Sequence, residues 1–224
     1  MAPLFDTFKT RAEAVSAEVH RFAAKAGALD FILAFLREQK VADVRESRAV
    51  WANGPLLEGL DRDRLAAEIP GLTFEVTRDA AEASKIGISQ VECAIADTGT
   101  LVTDAGPVDR RLVSSLPVIH LAVVATDSIE PDMAGALARI HPDRCGYISM
   151  ITGPSRTADI ERVLTIGVHG PSRLVIVFVD EMGTANCGAA NPGRSRLLGG
   201  QSRLKAGCGQ NCPPHKMAEM GRNR

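Results

Sequence analysis

VIHLAVV, residues 118–124, is an apolar run interrupted only by His120. Its apolar residues fall on both parities, so it has no polar face and is expected to form a strand buried on both sides. Reading outward, PDMAGALARI (131–140) has the spacing of an amphipathic helix, YISMIT (147–152) reads as a strand, ADIERVLTIG (158–167) as a second helix and LVIVFV (174–179) as a third strand. Apolar strands alternating with amphipathic helices predict a mostly parallel sheet covered on both faces, a three-layer α/β architecture wound with right-handed crossovers. Ligands in such sheets are expected beyond the carboxyl ends of the strands.

Upstream, SRAVWA, LLEGLDRDRLAAEI and LTFEV repeat a strand, helix, strand order between Arg48 and Val76. Nearer the start, Phe5, Phe8, Ala12, Val15, Val19, Phe22, Ala26, Leu29, Leu33 and Leu36 recur at intervals of three and four. That spacing predicts N-terminal helices over residues 1–40, split near Gly27 and Asp30, ahead of an α/β domain over 41–182, with the apolar stripe packed either on the core or, in a homo-oligomer, on a partner helix. After Asp180 the apolar period disappears, and residues 183–224 read as a basic, Gly-rich tail without a core of its own, expected to be flexible.

The 224 residues carry a net charge of −1, which hides an uneven distribution. The tail holds seven Lys or Arg and one acidic residue, so residues 1–182 are mildly acidic and offer no broad footprint for nucleic acid. The tail also lacks Phe, Tyr and Trp, the stacking half of a single-strand binding surface. No apolar run is long enough to cross a bilayer and the N-terminus lacks a secretory signal pattern, so a cytoplasmic location is expected. Five cysteines, an odd number without compact spacing, suit a reducing compartment. Cys93 and Cys145 read as packing residues. Cys187, Cys208, Cys212 and His215 supply a weakly spaced set of metal ligands, equally compatible with free thiols.

Three segments carry candidate chemistry. In ITGPSRTADIE (151–161) a strand is expected to hand over to a helix near Ser155 or Thr157, and Gly153, Pro154, Ser155 and Thr157 could present amides and hydroxyls to an anion. Asp159 and Glu161 in the first turn compete for the same helix end, although they could orient a hydroxyl. AIADTGTLVTD (94–104) reads as a hairpin whose tip, Asp97, Thr98, Gly99 and Thr100, either serves only the turn or faces a small polar ligand. DRRLVSSLPVIH (109–120) sets Arg110 and Arg111 near two serines, as a carboxylate contact or a solvated face. His120 reads as a hydrogen-bonded core histidine, and simple topology puts His169 of GVHGP at the end opposite the ligand crevice. No Ser, His and acid grouping, P-loop or GxGxxG motif is present.

IADTGTLV, RLVSSLP followed by His120, ITGPSRTADIE and GVHGP, in this order, resemble the lactate utilization protein C family, the LUD domain, over about residues 5–180. The resemblance implies a sheet of the kind found in sugar-phosphate isomerases, CoA transferases and folate cyclo-ligases. It implies a role in oxidising L-lactate to pyruvate, with iron-sulfur clusters in partner proteins; in that role the chain needs no cofactor of its own, and its crevice either binds a small carboxylate or other anionic ligand or docks the iron-sulfur partners. Asp97, Thr98, Gly99, Thr100, Gly153, Pro154, Ser155, Thr157, Asp159, Glu161, His169 and Gly170 match the family's motifs and are the ligand-site candidates, with no catalytic role assigned to any. The Cys-bearing tail departs from the family's pattern. Two other functions compete: a stand-alone enzyme acting on a phosphorylated, CoA-thioester or folate-like substrate, and a metal-binding protein using the tail cysteines.

Overall fold

A computed structural model describes residues 2–157 and 165–182, all within one compact unit spanning residues 1–189. Helix α1 (Ala2–Ala14) leads into β1 (Ala17–Phe22), α2 (Lys25–Glu38) and β2 (Arg48–Trp51). Then come α3 (Arg62–Glu68), β3 (Leu72–Thr73), α4 (Arg78–Glu82), β4 (Ser84–Gln90), β5 (Cys93–Ile95) and β6 (Thr100–Asp104). The second half holds α5 (Val108–Ser115), β7 (Ile119–Ala125), β8 (Ile129–Glu130), α6 (Met133–Ile140), β9 (Ile148–Ile151), β10 (Arg156–Thr157), β11 (Thr165–Ile166) and β12 (Arg173–Val179).

Six strands form a sheet in the order β1-β12-β7-β4-β2-β3, and every adjacent pair is parallel. Side chains alternate between its faces. Val175, Val177 and Val179 of β12 join Leu121 and Val123 of β7 beneath Ile32, Phe35 and Leu36 of α2. Leu174, Ile176 and Phe178 face the other way with Ala122 and Val124, against Phe5, Phe8 and Ala12 of α1. The expected α/β sheet flanked by helices is therefore the one observed.

A second sheet, ordered β8-β5-β6-β9, packs on the α1 side of the first. Ala94 and Leu101 point into the shared core, while Cys93, Ile95 and Val102 are covered by Ala136 and Ile140 of α6. Both faces of this small sheet are thus apolar, which explains why its short strands contain so little charge.

Three expectations need correction. The helical spacing from Phe5 to Leu36 runs across β1, a strand. Ser16, at a left-handed φ of 69°, turns the chain out of α1, and Ala17–Phe22 pairs residue for residue with Leu174–Val179. The open backbone edge of a buried strand outweighs local helical spacing, because its amides and carbonyls must be paired. The 1–40 segment accordingly contributes a strand as well as helices.

YISMIT does not join the parallel sheet. Its strand β9 pairs antiparallel with β6, in the register Leu101↔Ile151 to Asp104↔Ile148. A central parallel strand needs cover on both faces, and β9 leaves Met150 42% exposed. Nor does a helix start at Ser155, because Arg156–Thr157 is extended and pairs antiparallel with Thr165–Ile166; a start just after Thr157 lies outside the described residues. The helix expected over 158–167 otherwise falls on residues 158–164, outside the described residues, as does the 183–224 tail.

Phe178 is fully buried and receives the edges of Phe5 and Phe8, with ring centroids at 5.3 and 5.0 Å. Phe178→Ala should lower the unfolding free energy by about 3–5 kcal/mol, the usual cost of emptying an aromatic core site. Urea denaturation monitored by circular dichroism checks this; a loss below about 1 kcal/mol would show that α1 does not depend on that face.

Candidate functional site

The antiparallel pairing of β6 with β9 brings the two glycine bends together. Thr98 Oγ1 donates to Thr100 Oγ1 at 2.8 Å, and Thr100 Oγ1 lies 2.8 Å from Thr152 Oγ1, a hydroxyl chain from one bend to the other. Both bends also close on the end of α1. Gly99 has φ 67°, and a Cβ there would stand 2.4 Å from Ala12 N; Gly153 has φ 73°, and a Cβ there would stand 2.6 Å from Val15 O. Only glycine meets both demands, a left-handed conformation and backbone contact. Arg156 reinforces the corner, donating to Val15 O at 2.6 Å and Ser16 Oγ at 2.9 Å.

The bends meet, but they do not share one hollow. A cavity of about 220 Å³ is bordered by Gly153, Pro154, Ser155, His169 and Gly170, with Thr152, Ser114, Ser115 and His120 completing its polar wall. Among the described residues, Asp97, Thr98, Gly99 and Thr100 are not in that wall. Asp97 and Thr98 are exposed at the hairpin tip, while Gly99 and Thr100 are buried behind it. Thr157 lies in β10 and does not border the cavity. Asp159 and Glu161 lie outside the described residues.

His120 and Leu174 stand at the starts of β7 and β12, so the cavity opens at the amino ends of the parallel strands, not at the carboxyl ends. The antiparallel return of β9 is responsible, since it delivers residues 152–155 to that rim. The same return corrects the expected separation of His169 from Ser155. Ser155 N donates to Pro171 O at 2.8 Å, Gly167 N donates to Ser155 O at 2.9 Å, and a Cβ on Gly170 would lie 3.2 Å from Ser155 Cβ. GVHGP is thereby clamped against Ser155.

These bonds also change the chemistry. The Ser155 amide, expected to be free for an anion, is occupied by Pro171, and the polar side chains bordering the cavity are hydroxyls and imidazoles. His120 was legible as a core histidine, and it is one: it is 1% exposed, with Nε2 2.8 Å from Ser89 Oγ. Its place in the cavity wall was not legible, because that depends on where β9 goes. Burial pushes its pKa down to about 4, so the ring is neutral near pH 7. Its Nδ1 is buried with no hydrogen-bond partner among the described residues.

Arg110 and Arg111 are engaged elsewhere. Arg110 pairs with the buried Glu92 carboxylate, which also accepts from Asp104 N at 2.7 Å, and Arg111 lies 5.7 Å from the centroid of Tyr147. Burial pushes Glu92 up, against the opposing pull of Arg110. The Cys93 thiol is buried and pushed up to about 12, as suits a packing residue. Among the described residues no group of three or more His, Cys, Asp or Glu is arranged to hold a metal ion, and no helix is long and apolar enough to cross a membrane. Cys187, Cys208, Cys212 and His215 lie outside those residues.

The fold is shared with a crystal structure of a DUF162 family protein from Deinococcus radiodurans, at a TM-score of 0.53 and 18% identity, covering 80% of this chain and 97% of that one. The LUD domain profile matches residues 5–179, so the chain belongs to the LUD domain family. It is 38% identical over 109 residues to a lactate utilization protein C from Geobacillus sp. (strain WCH70), covering 46% of this chain and 45% of that protein. Against the protein of that name from Exiguobacterium sp. (strain ATCC BAA-1283 / AT1b) identity is 35% over 114 residues, 48% of this chain and 50% of the other. The matches thus span about half the length of these curated relatives.

The depressed His120 pKa gives a signed expectation. Between its ordinary value of 6.5 and about 4 the unfolded chain binds the proton that the folded chain refuses. Stability should therefore be full above about pH 6.5 and fall by about 3 kcal/mol as pH drops through that window. Denaturant titrations at pH 7, 5.5 and 4 should show this slope in the wild type and a flatter one in His120→Asn. Parallel profiles for the two proteins would contradict a neutral buried ring.

Proposed function

We propose that this protein acts in L-lactate utilization, as a subunit of a system that oxidises L-lactate to pyruvate, and that the cavity at Ser155 and His169 holds a small carboxylate. The names of the curated relatives and the LUD family match support the metabolic role. The observation that carries the ligand reading is the cavity itself. Ser115, Thr152, Ser155 and His169 border about 220 Å³, room for a three-carbon acid beside hydroxyl and imidazole groups.

Oxidation of lactate to pyruvate releases two electrons and two protons. In this reading the chain binds and orients the acid, and iron-sulfur partner proteins take the electrons. A surface suited to a partner lies directly outside the cavity. Leu116, Val118 and Val168 are 41%, 53% and 44% exposed around an adjoining hollow on the outer side of the GVHGP loop. Apolar groups grouped beside a binding pocket favour a protein contact.

Calorimetric titration of the full-length chain with sodium L-lactate and pyruvate should show saturable binding, weakened about tenfold by Ser155→Ala. Affinity capture from cells grown on lactate should recover iron-sulfur proteins with the wild type and less of them with Val168→Asp. Turnover of a phosphorylated or thioester substrate by the isolated chain, with no binding of either acid, would overturn the proposal in favour of a stand-alone enzyme.

A further inference from the structure

Ser89 and His120 sit on neighbouring parallel strands, on the same face, with Gly87 paired to His120. Their 2.8 Å contact fixes more than the position of the ring. A serine hydroxyl always carries a proton to donate, and among the described residues Ser89 Oγ has no partner other than His120 Nε2. If Nε2 carried the imidazole proton, the serine proton would have no acceptor and Nδ1 would be an empty lone pair. With Ser89 donating, Nε2 accepts and Nδ1 bears the hydrogen. This second arrangement strands only one group, the Nδ1–H donor, buried in a ring that borders the cavity beside Ser155 and His169. The low pKa is consistent with a neutral ring holding a single proton.

An unpartnered buried donor in a cavity wall calls for an acceptor from the ligand. The surroundings restrict which one. No Lys or Arg among the described residues borders the cavity. Ser114 and Ser115, at the carboxyl end of α5, bring the negative end of a helix dipole to its wall, which disfavours any anion and a dianion about twice as much as a monoanion. Among the described residues a phosphate dianion would meet no Lys or Arg there, whereas the single charge of a carboxylate can be held by hydroxyl and imidazole donors.

We infer that His120 is a ligand-contacting residue that favours a small monocarboxylate over a dianion, its Nδ1–H donating to the carboxylate while Ser89 holds the tautomer. This rests on the reading of the cavity given above and adds to it the residue and the ligand class. The sequence pattern RLVSSLPVIH and the hydrogen bond from β4 work together here, because α5 supplies the hydroxyls and β7 supplies the imidazole.

The test uses the full-length chain and two measurements. Long-range proton–nitrogen NMR spectra of the histidines should show His120 protonated at Nδ1 and bare at Nε2 in the wild type, with Ser89→Ala yielding a mixture. Titration with sodium L-lactate, pyruvate and inorganic phosphate should show binding of the two acids only. His120→Leu should weaken that binding at least about tenfold, and His120→Asn, which keeps an N–H donor, should stay within about threefold of the wild type. A wild-type ring protonated at Nε2, or a His120→Leu protein that binds lactate unchanged, would overturn this inference and leave the cavity standing as a site. Phosphate binding more tightly than either acid would overturn the ligand class. A wild-type chain that binds none of the three would overturn both this inference and the reading beneath it.

Discussion

Strand β12 carries no charged residue between Leu174 and Val179 and is buried on both faces, so it is stable only with hydrogen-bonded strands on both edges. One edge is met by β7 and the other by β1, which comes from the far end of the chain. Two ion pairs hold that long-range closure at its ends. Arg173 reaches Glu18 Oε2 at 2.8 Å, and Arg21 reaches Asp180 at 2.8 and 3.2 Å. Being partly exposed, each stabilises only modestly, and the alignment comes chiefly from the backbone ladder and the apolar faces. The Arg173 hydrogen bond lowers the Glu18 pKa, as that arrangement requires. With β1 in place, α1 must cross the sheet face at Phe178, and its far end becomes the surface on which Gly99 and Gly153 close. The cavity wall is therefore a consequence of pairing the first strand with the last.

How much of this was legible depended on the kind of signal each segment carries. VIHLAVV, LVIVFV and PDMAGALARI declare themselves because burial on both faces, or on one helical stripe, is written directly in the residues. The hairpin around Asp97-Thr98-Gly99 was legible from its glycine. Strand β4 was not, because SKIGISQ mixes Gly, Ser and Gln into a buried central strand. Those exceptions are local necessities: a Cβ on Gly87 would stand 2.1 Å from Val113 O, Ser89 bonds His120, and Gln90 Oε1 accepts from Leu56 N. Residues 17–22 satisfy helical and strand spacing alike, and only the partner strand decides between them. The antiparallel path of β9 left no mark in YISMIT beyond its half-exposed residues.

The site shows the same division. Gly153, Pro154, Ser155, His169 and Gly170 were singled out by sequence and meet around one cavity, yet not for the expected reason. A free helix end was anticipated, and the backbone there is instead consumed by the clamp between Ser155 and the GVHGP loop. What remains is a wall of hydroxyls and imidazoles set among Met150, Ile151, Pro154, Pro171 and Leu174 at the amino ends of β7 and β12. His120 belongs to that wall although residue type alone placed it in the core; it is at once a core residue and a border residue. Arg110 passes the other way, from a candidate carboxylate contact to the partner of a buried glutamate.

The central claim is one of place: small acids bind at the amino rim of the parallel sheet, next to Ser155 and His169. Chemical-shift mapping of the isotope-labelled full-length chain during titration with L-lactate tests it most directly. The account predicts the largest shifts at Gly153, Ser155, His169, Gly170 and His120. Shifts concentrated at the opposite rim, at Ala52 and Asn53 after β2 and at Gln90, the last residue of β4, would contradict it.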